Sequence, residues 1–296
     1  MFPEPDGLDH QGYCIRPPSE AYSILIQATL GCSHNKCTFC QAYKGKRFAI
    51  KDREIWDRDI AFASKYCHRQ DRVFIMDGDA LIMPMRHWEW LLTNIKERLP
   101  WVKRVGTYAN AKSVASKSDE ELRKLRELGL SMAYYGVESG HPDVLEKIRK
   151  GADPEKLHDQ ARRLIDAGFT LSVTVIVGLA GKDKGLEHAQ ATGKLLSRID
   201  PHYVGALTLM LPHITPLYQE AMAGEFTLPS QMELLAELGV MFSHTNLTNG
   251  MFTANHASNY LPIRAYLPED KEKTMELIRR AVEGNVSLRP EWMRAL

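Results

Sequence analysis

The chain has 296 residues, of which 44% are apolar and 25% charged, and its 38 Lys and Arg residues nearly balance its 37 Asp and Glu residues. A chain of this length and apolar content can bury one large hydrophobic core. Its near-zero net charge disfavours a nucleic-acid substrate, because proteins dedicated to nucleic acids usually carry an excess of basic residues. No apolar run reaches the ~20 residues of a membrane span and no signal-peptide pattern marks the N-terminus, so we expect a cytoplasmic protein without membrane contacts.

Strand-like and helix-like segments alternate over the first 211 residues. Short β-branched runs indicate strands, and apolar residues that recur every three or four positions indicate helices. The predicted strands are 24–30, 72–76, 102–107, 132–137, 170–177 and 203–209. The predicted helices cover 54–66, 88–98, a segment between Ser118 and Gly129, and a segment between Asp153 and Gly168. Six such β-then-α units predict an α/β protein with a parallel sheet and right-handed crossovers.

Two of these helices have sequence signals at both ends. Ser118 and Glu121 form a capping box, in which each side chain satisfies a free backbone N–H, and Gly129 stands where a left-handed C-terminal residue is favoured. The second helix has Asp153-Pro154 at its N-cap and first position and Gly168 at its end.

Three of the five cysteines, Cys32, Cys37 and Cys40, lie within nine residues directly after the first predicted strand. Three thiolates without a fourth nearby suit a cubane iron–sulfur cluster with one iron left open. A zinc site, which usually has four ligands in two knuckles, and a redox pair, which leaves Cys32 unexplained, are the alternatives. Cys14 and Cys67 are isolated and are most simply small buried or surface residues.

The cysteine loop resembles the one that holds a [4Fe–4S] cluster in the radical S-adenosylmethionine (SAM) superfamily. That family usually has the spacing C-x3-C-x2-C, whereas four residues separate Cys32 from Cys37 here, and Phe39 occupies the family's aromatic position beside adenine. The resemblance implies a partial (β/α)6 TIM-like barrel with a C-terminal helical extension. It also implies a [4Fe–4S] cluster and SAM as cofactors, an electron donor such as flavodoxin or ferredoxin, and reductive cleavage of SAM to a 5′-deoxyadenosyl radical under anaerobic conditions.

Parallel barrels place their chemistry at the carboxyl ends of the strands. Asp77-Gly78-Asp79 follows the second strand, where the family has Gly-Gly-Glu near the SAM amino group. The resemblance therefore implies that Asp77, Gly78 and Asp79 contact SAM. An ordinary Asp-Gly turn is the alternative.

The segment after strand four resembles the "G-x-E-S-G … I-x-K-G" stretch of methylthiotransferase, elongator and coproporphyrinogen-dehydrogenase relatives. By that resemblance Glu138 accepts from the SAM ribose, with Ser139 beside it, and Lys150 pairs with the SAM carboxylate. A solvated helix-end lysine is the alternative for Lys150, with Lys147 or Arg149 in its place.

Strand five is similar to the family's "I-x-G-L-P-G" stretch, which lies against adenine. The resemblance places Val177 beside the adenine and Thr174 beside the ribose. An apolar strand that supports the architecture alone explains the Val and Ile content equally well.

Beyond residue 211 we predict helices over 231–241 and 271–282, with a polar stretch between them. Asn255, His256 and Asn259 are its candidate substrate contacts, although Asn and Ser also favour turns for local reasons. The predicted organisation is a lead segment over 1–22, a radical SAM core over 23–211 and a substrate-capping extension over 212–296.

Only two cysteines lie outside the cluster loop, too few for a second cluster, and neither a cobalamin-binding nor an RNA-binding domain is apparent. We therefore expect neither methylthiotransfer nor cobalamin-dependent methylation. The leading prediction is a single-cluster radical SAM enzyme that abstracts hydrogen from a small polar substrate. The alternatives are a radical SAM enzyme acting on RNA or protein, and a non-catalytic, metal-stabilised α/β binding protein.

Overall fold

The structure is a computed structural model and describes residues 7–295. Over this range strands and helices alternate along most of the chain, as the sequence predicts. The strands are β1 (Ile24–Gln27), β2 (Thr29–Leu30), β3 (Ala49–Ile50), β4 (Arg72–Met76), β5 (Arg104–Ala109), β6 (Leu130–Glu138), β7 (Thr170–Val177), β8 (Tyr203–Thr208), β9 (Gly250–Thr253) and β10 (Arg264–Leu267).

The helices alternate with these strands, and the part of the chain after β8 contains both helices and strands. They are α1 (Arg53–Tyr66), α2 (Met85–Arg98), α3 (Ala111–Ala115), α4 (Asp119–Glu127), α5 (Pro142–Lys147), α6 (Pro154–Asp166), α7 (Gly185–Ile199), α8 (Pro216–Met222), α9 (Gln231–Ser243) and α10 (Lys271–Val282). Short 3-10 helices cover Pro18–Glu20, Ala80–Ile82 and Glu291–Met293. Within the described range, no helix is both long and apolar enough to span a membrane.

Eight strands form one sheet in the order β1-β4-β5-β6-β7-β8-β9-β10, while β2 and β3 form a separate antiparallel ribbon. The ladders β1–β4, β4–β5, β7–β8 and β8–β9 are parallel, and β10 joins β9 antiparallel. Parallel neighbours need a crossover between them, which the intervening helices supply. The predicted α/β class with a mostly parallel sheet is confirmed, and β9 and β10 are additions to a region for which we predicted only helices.

The chain divides into two compact units. Unit 1 contains Met1–Asn35, Ala42–Tyr134 and Arg163–Thr170, and unit 2 contains Lys36–Gln41, Tyr135–Arg162 and Leu171–Leu296. The boundaries predicted at residues 23 and 212 stay predictions.

One hydrophobic cluster in the core of unit 1 is aromatic and sulfur-rich. Phe74 on β4 packs edge-to-face on Tyr108 and Tyr134, with ring centroids 5.0 and 5.6 Å apart. Cys14 packs against the same cluster from the N-terminal segment. Buried Glu20 accepts hydrogen bonds from Tyr134 and from Arg104, so the lead segment is tied to β5 and β6.

The predicted helix signals are confirmed. The Glu121 amide donates to the Ser118 hydroxyl over 3.1 Å, and the Ser118 amide donates to the Glu121 carboxylate over 2.8 Å. Gly129 follows with φ of +108°. Asp153 accepts from the Lys156 amide at 2.8 Å at the start of α6.

Candidate functional site

The acidic loop after β4 is anchored to the segment that leads into Cys32. Asp77 is fully buried, and its amide donates to the Thr29 hydroxyl over 3.1 Å. Its carboxylate accepts from the Gln27 side chain at 3.4 Å and from the Gly31 amide at 3.3 Å. Asp77 therefore holds the end of β4 against residues 27–31, which directly precede Cys32.

Asp79 is a second fully buried carboxylate of this loop, with 0% exposure like Asp77. One oxygen accepts from the Ser33 hydroxyl, and the other has no hydrogen-bond partner among the described residues. Burial raises the pKa of Asp79 to about 6, against the opposing effect of the polar side chains of Ser33, Ser113 and Asn110. A buried acceptor left open is costly, so this oxygen suits a cationic or hydrogen-donating ligand.

Two residues that flank Asp79 belong to the turn between β5 and α3. The Asn110 side chain accepts from the backbone amides of Lys112 and Ser113 at 2.9 and 3.0 Å, and the Ser113 hydroxyl accepts from the Asn110 amide. This reciprocal cap fixes both side chains. Sequence reasoning missed them, although Asn-x-x-Ser directly after a strand is a recognisable helix-start signal.

Gly78 is required by the close approach of Tyr43. A Cβ at Gly78 would lie 2.3 Å from the Tyr43 ring. Tyr43 is buried, and its carbonyl accepts from the Asn35 side chain at 2.7 Å. The ring thus packs on the loop that carries Asp79, a contact that the sequence did not reveal.

Asn35 has a defined conformation within the longer cysteine interval. It lies in the four-residue interval between Cys32 and Cys37 and has φ of +42°, a left-handed conformation that Asn tolerates better than most residues. Its side chain also donates to the Lys46 carbonyl over 3.2 Å. The longer interval therefore has a fixed local conformation.

The three clustered cysteines are all half-buried. Cys32 belongs to unit 1, whereas Cys37, Cys40 and the half-buried Phe39 belong to unit 2. Among the described residues no group of three metal-binding side chains is assembled, so the convergence of the three thiols stays a prediction. Cys14 and Cys67 are half-buried free thiols, and burial raises the pKa of both.

Residues 36–41 are pinned within unit 2 through Thr38. Its amide donates to the Ile148 carbonyl over 3.0 Å, and its carbonyl accepts from the Leu217 amide at 3.1 Å. Thr38 is itself buried. The segment that carries Cys37 and Cys40 is therefore held by the ends of α5 and α8.

Glu138 and Lys150 form an ion pair at the end of β6. Lys150 Nζ lies 3.0 Å from Glu138 Oε1, and their side chains are 9% and 12% exposed. Glu138 has φ of +65°, and a Cβ at Gly136 would lie 2.4 Å from Glu138 Oε1. We predicted separate contacts with SAM for these residues, and the structure pairs them with each other. Ser139 beside them is buried and accepts from the His141 amide at 3.0 Å.

The second half of β7 contains Thr174, which is half-buried, and ends at Val177, which is buried. Val177 is followed by Gly178, whose φ is +93° and whose amide donates to the Glu237 carboxylate over 2.7 Å. Glu237 lies on α9, far along the chain, and no sequence pattern indicated it.

The polar stretch after β9 is fastened to the end of β8. Thr208 donates to the Asn259 side-chain oxygen over 2.8 Å, and the Asn259 amide nitrogen donates to the Ala206 carbonyl over 3.0 Å. Asn259 is buried, while Asn255 is exposed and His256 half-buried. Burial, assisted by nearby Arg289, lowers the pKa of His256.

Two arginines of the C-terminal tail hold this stretch. Arg289 donates to the His256 and Asn259 carbonyls over 2.9 and 2.7 Å. Arg294 donates to the Leu209 carbonyl over 3.1 Å, and its guanidinium lies 4.2 Å from the centre of the Tyr260 ring. These arginines were also absent from the sequence-based prediction, because nothing local links them to residues 30 to 85 positions away.

A family model for the radical SAM superfamily matches residues 26–190, more than half of the chain. The chain therefore belongs to the radical SAM superfamily, as predicted.

Two curated relatives match part of the chain. It is 24% identical over 180 residues to an uncharacterized methyltransferase, PH0819, of Pyrococcus horikoshii, covering 59% of this chain and 39% of that protein. It is 26% identical over 161 residues to the heme chaperone HemW of Bacillus subtilis, covering 54% and 42%. The chain spans about two fifths of the length of these relatives.

Among solved structures, methylornithine synthase (PylB) is similar, with a TM-score of 0.54 and 19% sequence identity over 75% of this chain and 63% of that one. At this identity the likeness shows the fold. The predicted partial-barrel architecture of the radical SAM type is confirmed.

Proposed function

We propose that the chain binds a [4Fe–4S] cluster through Cys32, Cys37 and Cys40 and binds SAM beside it. It then uses a 5′-deoxyadenosyl radical to take a hydrogen atom from a small polar substrate. When bound, the cluster supplies the electron that cleaves the SAM sulfonium. The single observation that best supports this proposal is Asp79, a fully buried carboxylate with one open oxygen, hydrogen-bonded to the residue after Cys32.

Asp79 is suited to the SAM ammonium group. An ammonium carries three donors and a positive charge, and it would satisfy the open oxygen while compensating the buried negative charge. Asp77 would act indirectly, since it fixes the end of β4 against the cysteine segment. Gly78 would keep the loop backbone close to the Tyr43 ring.

Glu138 and Lys150 are suited to the remaining polar groups of SAM. A carboxylate is a good acceptor for the ribose diol, and a lysine is a good donor to the amino-acid carboxylate. Their mutual contact at 3.0 Å neutralises both charges before a ligand arrives. Thr174 and Val177 would lie beside the nucleoside, and Phe39 beside the adenine, as the family resemblance implies.

The substrate segment is proposed to be 255–259. Asn255 is exposed and His256 half-buried, so both retain polar groups for a ligand, whereas the buried Asn259 would set their position. Near-zero net charge favours a small polar metabolite over RNA. A flavodoxin or ferredoxin would donate the electron, in a cytoplasm that keeps thiols reduced.

The experiment that tests the proposal is SAM cleavage by protein reconstituted anaerobically with iron and sulfide. We expect 5′-deoxyadenosine to form when SAM and a strong reductant are present together. A chain that binds zinc in the same cysteines and releases no 5′-deoxyadenosine would instead be the metal-stabilised binding protein.

SAM affinity should depend on pH through Asp79. Because the pKa of this carboxyl is raised to about 6, it is protonated and uncharged below that pH and loses its attraction for an ammonium group. We expect the Kd to rise about tenfold for each pH unit below 6. Calorimetric titration with S-adenosylhomocysteine, an unreactive analogue with the same amino group, measures this between pH 5 and 8.

Asp79→Asn should remove that pH dependence and weaken binding at pH 8 by about tenfold or more, because a neutral amide replaces a charge-assisted acceptor. Asp159→Asn is the control, since Asp159 is an exposed carboxylate of unit 2. An unchanged pH profile in Asp79→Asn would assign the titration to another group.

A further inference from the structure

We propose that Glu237 and His188 are positioning residues that hold the loop after β7 in the arrangement needed to bind the nucleoside of SAM. The inference rests on the proposed function. It adds residues from α7 and α9 to a site otherwise assigned to strand ends and the cysteine loop.

Glu237 is the centre of this arrangement. It is 1% exposed, and its Oε1 atom accepts from the Gly178 amide at 2.7 Å and from His188 Nδ1 at 2.8 Å. Since a carboxylate can only accept, the hydrogen in the second bond is carried by Nδ1. Gly185 makes the room, because a Cβ there would lie 2.8 Å from Glu237 Oε2.

Gly178 needs this support because its conformation is restricted. Its φ of +93° is rare for any residue with a side chain, and a Cβ would lie 2.8 Å from Leu234. The amide directly follows Val177 at the carboxyl end of β7. A bond from that amide to Glu237 therefore fixes where the chain leaves the strand.

The same helix face also holds the loop after β6. Thr192 lies one turn after His188, and its hydroxyl donates to the His188 carbonyl over 2.7 Å. The same hydroxyl accepts from the Gly140 amide at 2.9 Å. A Cβ at Gly140 would lie 2.5 Å from the Ala191 carbonyl, so this loop rests on the α7 backbone. Glu138, the proposed ribose acceptor, is two residues before Gly140.

A purely structural contact between α7 and α9 would not need these groups. Burying a carboxylate and an imidazole is costly, and apolar side chains of the same volume usually serve a core as well or better. His188 is fully buried, and its Nε2 has no hydrogen-bond partner among the described residues. The polar pair is explained if its purpose is to hold the Gly178 amide in place.

The test compares variants that keep the hydrogen bonds with variants that remove them. In Glu237→Gln the side-chain oxygen still accepts from Gly178, and in His188→Asn the amide nitrogen replaces Nδ1 as donor. In Glu237→Leu and His188→Leu these bonds are lost. We expect S-adenosylhomocysteine to bind cluster-loaded Glu237→Leu and His188→Leu about tenfold more weakly, with the polar variants within about threefold of wild type.

Two further readouts separate positioning from folding. Iron content should stay at the wild-type value in all four variants. Amide hydrogen exchange should rise in a peptide covering 178–181 in Glu237→Leu and His188→Leu, and should stay at the wild-type rate in the two polar variants. Ser197→Ala is the matched control: the Ser197 hydroxyl ties the same two helices at their other ends, by donating to the His244 carbonyl over 2.8 Å. It should lower thermal stability without changing affinity.

Wild-type affinity in both Leu variants would overturn the inference and leave the proposed function intact. Affinity losses that follow thermal stability equally in Ser197→Ala and the Leu variants would also overturn it. If the wild-type protein itself binds neither cluster nor S-adenosylhomocysteine, the proposed function fails, and this inference fails with it.

Discussion

Replacing Cys32, Cys37 or Cys40 with alanine will abolish both bound iron and SAM cleavage. A cubane cluster held by three thiolates has no spare protein ligand, so loss of one thiolate leaves two irons without protein coordination. We expect iron to fall from about four to below about one per chain, and 5′-deoxyadenosine formation to fall at least about a thousandfold. Iron analysis and chromatography of the products after anaerobic reconstitution measure both.

Cys14→Ala and Cys67→Ala are the matched controls for this result. Both residues are half-buried thiols outside the loop, so the same chemical change should leave iron content and cleavage within about twofold of wild type. Full iron retention in Cys32→Ala would show that this thiol is not a ligand. The cluster would then need another source of coordination.

The second large effect concerns the ion pair at the end of β6. Lys150→Met leaves Glu138 charged and largely buried, with side-chain exposure of 12%. Breaking such a pair from one side costs roughly 3–5 kcal/mol of unfolding free energy. Chemical denaturation measures this loss, and SAM affinity should fall with it because the proposed donor to the SAM carboxylate is gone.

Lys147→Met tests whether Lys147, the alternative to Lys150 in the sequence, fills the role proposed for Lys150. Lys147 is exposed, and its ammonium lies 5.3 Å from the centre of the Phe226 ring, so its removal should cost less than about 1 kcal/mol. A larger loss of SAM affinity in Lys147→Met than in Lys150→Met would show that Lys147, not Lys150, is the donor to the SAM carboxylate. In the double variant Glu138→Gln with Lys150→Met, part of the stability should return, since no unpaired charge remains.

The sequence predicted correctly those helices and strands that are determined by residues close together in the chain. The apolar runs of β4 and β7 were predicted with their observed bounds, as was α10, and the Ser118 capping box was observed as expected. Each of these depends on side-chain periodicity or on residues three positions apart.

Helix α7 was not predicted, and its sequence contains two glycines, which have low helix propensity. Gly185 and Gly193 are explained only by contacts with α9: a Cβ at Gly193 would lie 2.5 Å from the Met241 carbonyl. Strands β9 and β10 have four residues each and obtain their partners from the sheet. Such tertiary requirements override local propensity and leave no local pattern.

The candidate site also contains residues that the sequence could indicate and contacts that it could not. Asp79 and Glu138 were predicted as SAM contacts because they follow strands, where a parallel sheet places its chemistry, and because their segments resemble the family's motifs. Ser33 lies 46 positions from Asp79, and Glu237 lies 59 positions from Gly178, so one sequence alone could not pair them. The Glu138–Lys150 contact was also unforeseen, because the family resemblance directed both residues towards the ligand.

The central claim is that this chain cleaves SAM reductively at a cluster held by its three clustered cysteines. The most direct measurement is the yield of 5′-deoxyadenosine and methionine from SAM, with reductant, by reconstituted wild-type protein and by Cys32→Ala in parallel. Equal amounts of both products, formed only by the wild-type protein and only with reductant, are the predicted result. No 5′-deoxyadenosine from a protein that carries a full cluster, or an equal yield from Cys32→Ala, would contradict it.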